Sequence, residues 1–252
     1  FLQQKGRLIS AFVRPALWLF VFAVGFRGVY GVDAGEPYLQ RSVNYEYYIL
    51  PGLTCMVLLF SGMQSSLAMV YDREMGVMRL LLTAPLPRWW LLTCKLIAGA
   101  LMSVLQAYAF LAIAALYGIR FPALGYLTVA PVLLLAAFMV GALGIALSST
   151  IKQLENFAGV MNFVIFPMFF LSSALYPLWK MAEASALLHD ICAANPFTHA
   201  VEAVRFALYV QPNWFALGVT VAAGLVFMGI ALWGYDPGRG MVRQKAGGPA
   251  GS

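Results

Sequence analysis

Few residues in this 252-residue chain could make or break bonds, and their spacing keeps them apart. The three cysteines, Cys55, Cys94 and Cys192, show no metal-ligand spacing. Cys55 and Cys94 fall in or near apolar runs, where a thiol serves as a small apolar filler. Cys192 has no local partner, so no disulfide is expected. Ser61-Gly62 offers a hydroxyl, but a nucleophile buried at membrane depth needs a base beside it. Both histidines, His189 and His199, fall in a later and more polar loop. No Gly-Lys dipeptide occurs, so the glycine-rich loop that cradles nucleotide phosphates is absent. The chemistry left to the chain is non-covalent, and its charges gather in one place. Tyr71–Lys95, YDREMGVMRLLLTAPLPRWWLLTCK, is a charged, proline-broken segment wedged between two strongly apolar runs. A chain this hydrophobic has little reason for such an interruption unless something docks there.

The elements that would position this segment follow from composition. At 62% hydrophobic and 10% charged, with mean hydropathy +0.81, the chain is too apolar for an ordinary soluble domain. Runs of about 20 apolar residues are long enough to cross a hydrocarbon core of about 30 Å as helix. They are continuous and do not alternate with period two, which excludes a barrel. The expected fold is an all-α membrane protein with six transmembrane helices: Pro15–Val32, Tyr47–Val70, Leu91–Tyr117, Leu127–Thr150, Phe157–Tyr176 and Trp214–Tyr235. Pro51-Gly52 and Pro167 are expected kinks, and the small residues Gly99, Ala100, Ser103, Gly141, Ala142, Gly144 and Ser148 would permit close helix approach.

Six spans put both termini on one side. That side carries Lys5, Arg7, Arg14, Arg73, Arg79, Arg88, Lys95, Lys152, Arg239, Arg243 and Lys245. The other carries only Arg41, Arg120, Lys180 and Arg205. The excess of cations predicts cytoplasmic termini. The net charge of +6 is then a topology signal plus attraction to anionic lipid, and requires no nucleic-acid partner. Residues 1–14 read as a basic amphipathic helix on the inner leaflet, with Phe1, Leu2, Leu8, Ile9, Phe12 and Val13 near one stripe; a frayed tail is the plainer alternative. Phe1 is not a natural start, and the run before Pro15 does not resemble a cleaved signal peptide. The Gly/Ala/Ser-rich end of residues 236–252 is expected to be a disordered cytoplasmic tail.

Within the central segment, Tyr71–Ala84 reads as a short helix lying along the membrane. Asp72 and Glu74 would suit the positive end of its dipole, and Val77, Leu80, Leu81 and Leu82 would supply an apolar face. Pro85 and Pro87 would stop it, and Arg88, Trp89 and Trp90 would anchor the next span at the interface. The bland reading is a well-anchored inner loop.

The pattern Arg73-Glu74-x-Gly76, then Leu81-Leu82, Pro85, Arg88 and Lys95, resembles the first cytoplasmic loop of type-2 ABC export permeases. A second stretch, FFLSSALYPLWKM followed by Asn195-Pro196-Phe197-Thr198-His199 and Arg205, is similar to that family's segment after the fifth span. Ser172-Ser173-Ala174 departs from the Ser-Gly that many relatives place there. The resemblance implies that residues 15–235 form the permease domain. It makes residues 71–90 a coupling loop, with Asp72, Arg73, Glu74, Gly76, Val77, Leu80, Leu81, Pro85 and Arg88 meeting an ATP-binding cassette subunit. Two permease chains, more readily alike than different, would pair above two such subunits. The permease would bind no cofactor of its own, ATP and Mg staying on the partner. The setting implied is a bacterial inner membrane and the cargo an exported amphipathic molecule, lipid or glycan. A stand-alone secondary transporter driven by an ion gradient is the alternative, but the chain shows no internal repeat.

The segment 177–213 reads as short amphipathic helices on the outer side, broken at Asn195-Pro196. By resemblance, Tyr176, Pro177, Asn195, Pro196 and Arg205 form an outer gate; Asn195-Pro196 making a simple turn is the equal alternative. Glu202 and Arg205 are three apart and could share a helical face. Arg27 lies about 18 Å along the first span, where it either snorkels outward or lines a route. Phe163, Phe166 and Phe170 either line an apolar route at a dimer seam or pack against lipid and neighbouring helices.

Overall fold

The computed structural model describes residues 17, 21, 45–75, 87–151 and 153–234. The first expected span, the amphipathic N-terminal run, Arg27, the tail and residues 76–86 lie outside the described residues. Among those described, all regular structure is helical: α1 (Tyr45–Glu74), α2 (Arg88–Leu116), α3 (Ala123–Thr150), α4 (Leu154–Phe170), α5 (Leu178–Ala184), α6 (Ala186–Ala194), α7 (Pro196–Leu208) and α8 (Trp214–Gly234). Four of these, α1, α2, α3 and α8, are long and apolar enough to cross a membrane. They cover the expected second, third, fourth and sixth runs, each within a few residues.

Two expectations need correction. Tyr71–Glu74 do not open a new helix; they are the last turn of α1, which continues straight through Asp72 and Arg73. Asp72 and Glu74 therefore sit at the negative end of a helix dipole, where a carboxylate gains nothing from it. The extension has a simple cause: no proline or glycine interrupts the chain between Leu67 and Met75. The fifth span is also shorter than expected. α4 ends at Phe170, 17 residues long, and Leu171–Tyr176 form irregular turns. Pro167 lies in its last turn, and the Ser172 hydroxyl bonds back to the Phe169 carbonyl at 2.6 Å, an alternative to continuing the helix.

α3 is the axis of the molecule, packing against α1, α2, α7 and α8. Its second half, from Met139 to Ser148, is buried nearly all round, while Leu124, Leu127 and Leu134 leave one face of its first half exposed. Polar ties supplement this packing: the Tyr108 hydroxyl of α2 donates to the Tyr126 carbonyl at 2.6 Å, and Thr128 Oγ1 donates to the Ala207 carbonyl of α7 at 2.6 Å. Two glycines set the closest approaches of backbone to backbone. A Cβ at Gly52 would collide with the Ala174 carbonyl, and one at Gly125 with the carbonyl of Leu208. Without a side chain, backbone can lie on backbone, which in lipid replaces the hydrophobic drive for helix association.

Gly52→Val is thus expected to destabilise the chain by about 1–3 kcal/mol through overpacking. Gly218→Ala in α8, which meets nothing within 4 Å, should be neutral. Thermal unfolding followed by tryptophan fluorescence in detergent compares the two; equal midpoints would sink the close-approach argument.

Candidate functional site

The start of α1 and the helices α5, α6 and α7 converge on the irregular stretch between Leu171 and Pro177. α4 ends with unsatisfied carbonyls, as every helix does. Asn195 satisfies two of them: its Nδ2 donates to the Met168 carbonyl at 2.8 Å and to the Leu171 carbonyl at 2.7 Å. Its Oδ1 meanwhile accepts from the Phe197 amide at 3.0 Å, capping α7. Pro196 occupies the first helical position, where a missing amide proton costs nothing. The end of α6 is treated likewise: Thr198 Oγ1 donates to the Cys192 carbonyl at 2.6 Å, and His199 Nε2 lies 2.9 Å from that of Ala193.

The Ser173 carbonyl is the centre of this assembly. Tyr48 Oη donates to it at 2.9 Å and Arg205 Nη2 at 2.7 Å. The Arg205 guanidinium also lies over the Tyr48 ring, 3.9 Å from its centroid. Tyr45 Oη reaches the Leu175 carbonyl at 3.2 Å. Arg205 is fully buried, and its planar fork suits a site that combines stacking with directional donation. Arg205 turns inward to α1 and the turn. Pro177 is buried as the residue preceding α5, and Tyr176 is half-buried against the core. Tyr176, Pro177, Asn195, Pro196 and Arg205 are therefore neighbours around one turn. Tyr45, Tyr48 and Thr198 were missed, although tyrosines three apart at a span entrance put both hydroxyls on one helical face.

At the other end of α1, Asp72 and Lys95 form an ion pair at 2.5 Å between α1 and α2. Asp72 thus turns to α2 rather than to open solvent alone. Tyr71, Glu74, Met75, Trp89 and Trp90 are exposed, and the two indoles meet edge to face at 5.6 Å. Gly76, Val77, Leu80, Leu81 and Pro85 lie outside the described residues, and Arg73 and Arg88 are placed only as helical positions. Phe163, Phe166 and Phe170 line one outward face of α4; Phe163 is 78% exposed. Phe166 stacks on Phe170 at 6.3 Å and meets Phe60 edge-on at 6.4 Å. This is a surface of the subunit and no part of its core.

The family model for ABC-2 type transporters, ABC2_membrane, matches residues 1–209. The chain belongs to that family. It is the membrane permease component of an ABC transporter, and the apolar helices fit insertion in a bilayer. The permease is 28% identical over 219 residues to a "Putative transport permease ycf38" of Cyanophora paradoxa, covering 85% of this chain and 72% of that one. It is 28% identical over 217 residues to the protein of the same name in Porphyra purpurea, covering 84% and 70%. It is 26% identical over 168 residues to a "Probable multidrug ABC transporter permease YbhR" of Escherichia coli K12, covering 65% and 44%.

Removing Arg205 leaves the permease's Ser173 carbonyl with one donor fewer and Tyr48 without its stacked cation. Arg205→Ala should cost about 1.5–3 kcal/mol, the worth of a charged hydrogen bond. Arg205→Lys should recover only part of it, because an ammonium cannot stack and donate in one plane. Unfolding midpoints that are the same in all three proteins would show that the buried cation anchors nothing.

Proposed function

We propose that this permease is the membrane subunit of an ATP-driven exporter whose cargo is an amphipathic or hydrophobic small molecule, a lipid or a glycan. Two permease chains, preferably identical, form the route, and two ATP-binding cassette subunits supply ATP and Mg and dock on residues 71–90. The setting is a bacterial inner membrane with both termini cytoplasmic, in keeping with the distribution of lysine and arginine.

The observation that carries this reading is the polarity of α1. Its first turns hold the Ser173 turn through Tyr45 and Tyr48, and its last turn holds the root of the docking segment through Asp72. Thirty helical residues separate those ends by about 45 Å, the full thickness of a bilayer with its headgroups. One element therefore joins the docking segment on one face to the outer turn on the other. Closure of the ATPase pair on nucleotide would bias which side is open only if the two states of the permease bind it differently, and α1 supplies the connection for that bias. The outward aromatic face of α4 supports pairing, since Gly159 shares it with Phe163, Phe166 and Phe170 and leaves open space for a neighbouring helix.

Co-expression with the cognate ATP-binding cassette subunit tests the reading. A stable complex is expected, with hydrolysis that Arg73→Ala plus Glu74→Ala alters several-fold. Asp72→Lys should uncouple hydrolysis from transport, and adding Lys95→Asp should restore part of the coupling. Failure to form any such complex, with transport that follows an ion gradient instead, would leave the secondary transporter standing.

A further inference from the structure

We propose that the corner between α7 and α8 is a strained latch. It clasps the last turn of α7 to the first turns of α3 and opens by itself, unfolding neither neighbour. Val210 marks it. With φ at 63° it is the one residue other than glycine in the left-handed region among those described, and a β-branched side chain fits that region badly. Its amide donates to the Ala207 carbonyl at 3.0 Å, and the Gln211 amide donates to the Phe206 carbonyl at 3.0 Å. These are the paired bonds by which a helix ends on a left-handed residue, a place usually given to glycine. Two contacts from α3 hold α7 there. Thr128 Oγ1 donates to the Ala207 carbonyl at 2.6 Å, and Gly125 leaves room for the carbonyl of Leu208. Strain of this kind persists only while the surroundings fix it.

Both sides of the clasp have somewhere else to go. The Thr128 hydroxyl has one proton, and the Leu124 and Gly125 carbonyls of its own helix stand 3.2 Å away, ready to receive it once Ala207 withdraws. Val210, Gln211 and Pro212 are exposed, so water can take the two freed amides. Val210 itself gains by leaving the left-handed region. The flanking helices are secured without the corner. Asn213 caps α8, its Oδ1 accepting from the Ala216 amide at 3.1 Å and its carbonyl from the Leu217 amide at 3.0 Å. At the other end of α7, Asn195 holds the carbonyls of Met168 and Leu171. Arg205 stands less than two turns before Val210. The latch therefore bears on the helix end that aims the guanidinium at the Ser173 carbonyl. The inference depends on neither the cargo nor the partner subunit.

Hydrogen exchange of the purified chain in lipid nanodiscs, resolved to single amides and corrected for intrinsic rates, tests this. The amides at positions 210 and 211 are expected to exchange faster than those of Ala216 and Leu217, because the corner opens while the start of α8 stays capped. Val210→Gly, with no side chain to strain, should slow the first pair about five- to thirtyfold and leave the second pair unchanged. Thr128→Val, alike in shape but without the donor, should speed the first pair about fivefold and again spare the second. Equal protection of the two pairs would overturn the proposal, since the corner would then open only together with α8. A Val210→Gly effect of the same size in both pairs would overturn it as well, by showing general stiffening in place of a latch. So would exchange at 210 and 211 that neither variant changes.

Discussion

Hydrocarbon offers no water to an unpaired peptide group, and this constraint governs the half of the molecule around the Ser173 turn. A helix solves it along its length, but a chain that leaves helical geometry must find donors and acceptors in its own protein. Leu171–Tyr176 leave it. The side chains of Asn195, Tyr48, Tyr45 and Arg205 then supply donors to the carbonyls of Met168, Leu171, Ser173 and Leu175. The placement of α7 follows from this, because Asn195 caps it while holding α4, and Arg205 pins its far side to α1. Gly52 completes the arrangement by letting Ala174 rest on the α1 backbone.

The same constraint explains what the amino-acid sequence revealed and what it withheld. Continuous apolar runs mark α1, α2, α3 and α8 because length and hydropathy alone decide whether a segment can span. Asn195-Pro196 reads as a break between short helices or a simple turn; the structure makes it a helix start, with a side-chain cap followed by proline. Ends governed by tertiary contact were not legible. Pro167 and Ser172 weaken the helix locally, but its stop at Phe170 also depends on Asn195, more than twenty residues later, donating to its terminal carbonyls. Arg205 reads as a surface cation by composition, and only the convergence of α1 with the Ser173 turn makes its burial tolerable. Asp72 reads as the opening of a new helix because charge follows apolar sequence there, although no breaking residue separates it from α1.

A cleft between α1 and α2 was invisible for a related reason. Gly99 and Ser103 suggest close packing when read one helix at a time, and Gly99 does lie against Ser65. The open volume arises because α3 meets both helices with alanine, glycine and isoleucine where larger side chains would have filled the gap. A cavity is a property of three helices together, and no single periodicity encodes it.

The two charged contacts on α1 differ in strength in a way that suits a lever. Asp72 and Lys95 are each about a third exposed, so solvent and salt screen their attraction. A pair of that kind contributes about 0–1 kcal/mol, and a docking protein could exchange it for its own contacts at little cost. Arg205 is shielded from water, its partners include a carbonyl and an aromatic face, and both interactions gain from the low dielectric around them. Releasing it would strand a buried cation. In the proposed coupling, force applied at the Asp72 end meets a weak contact first, while the Tyr48 end stays fixed to the Ser173 turn. On that reading a displacement of the root of α1 draws on the Ser173 turn, because the contacts at that end are the last to yield.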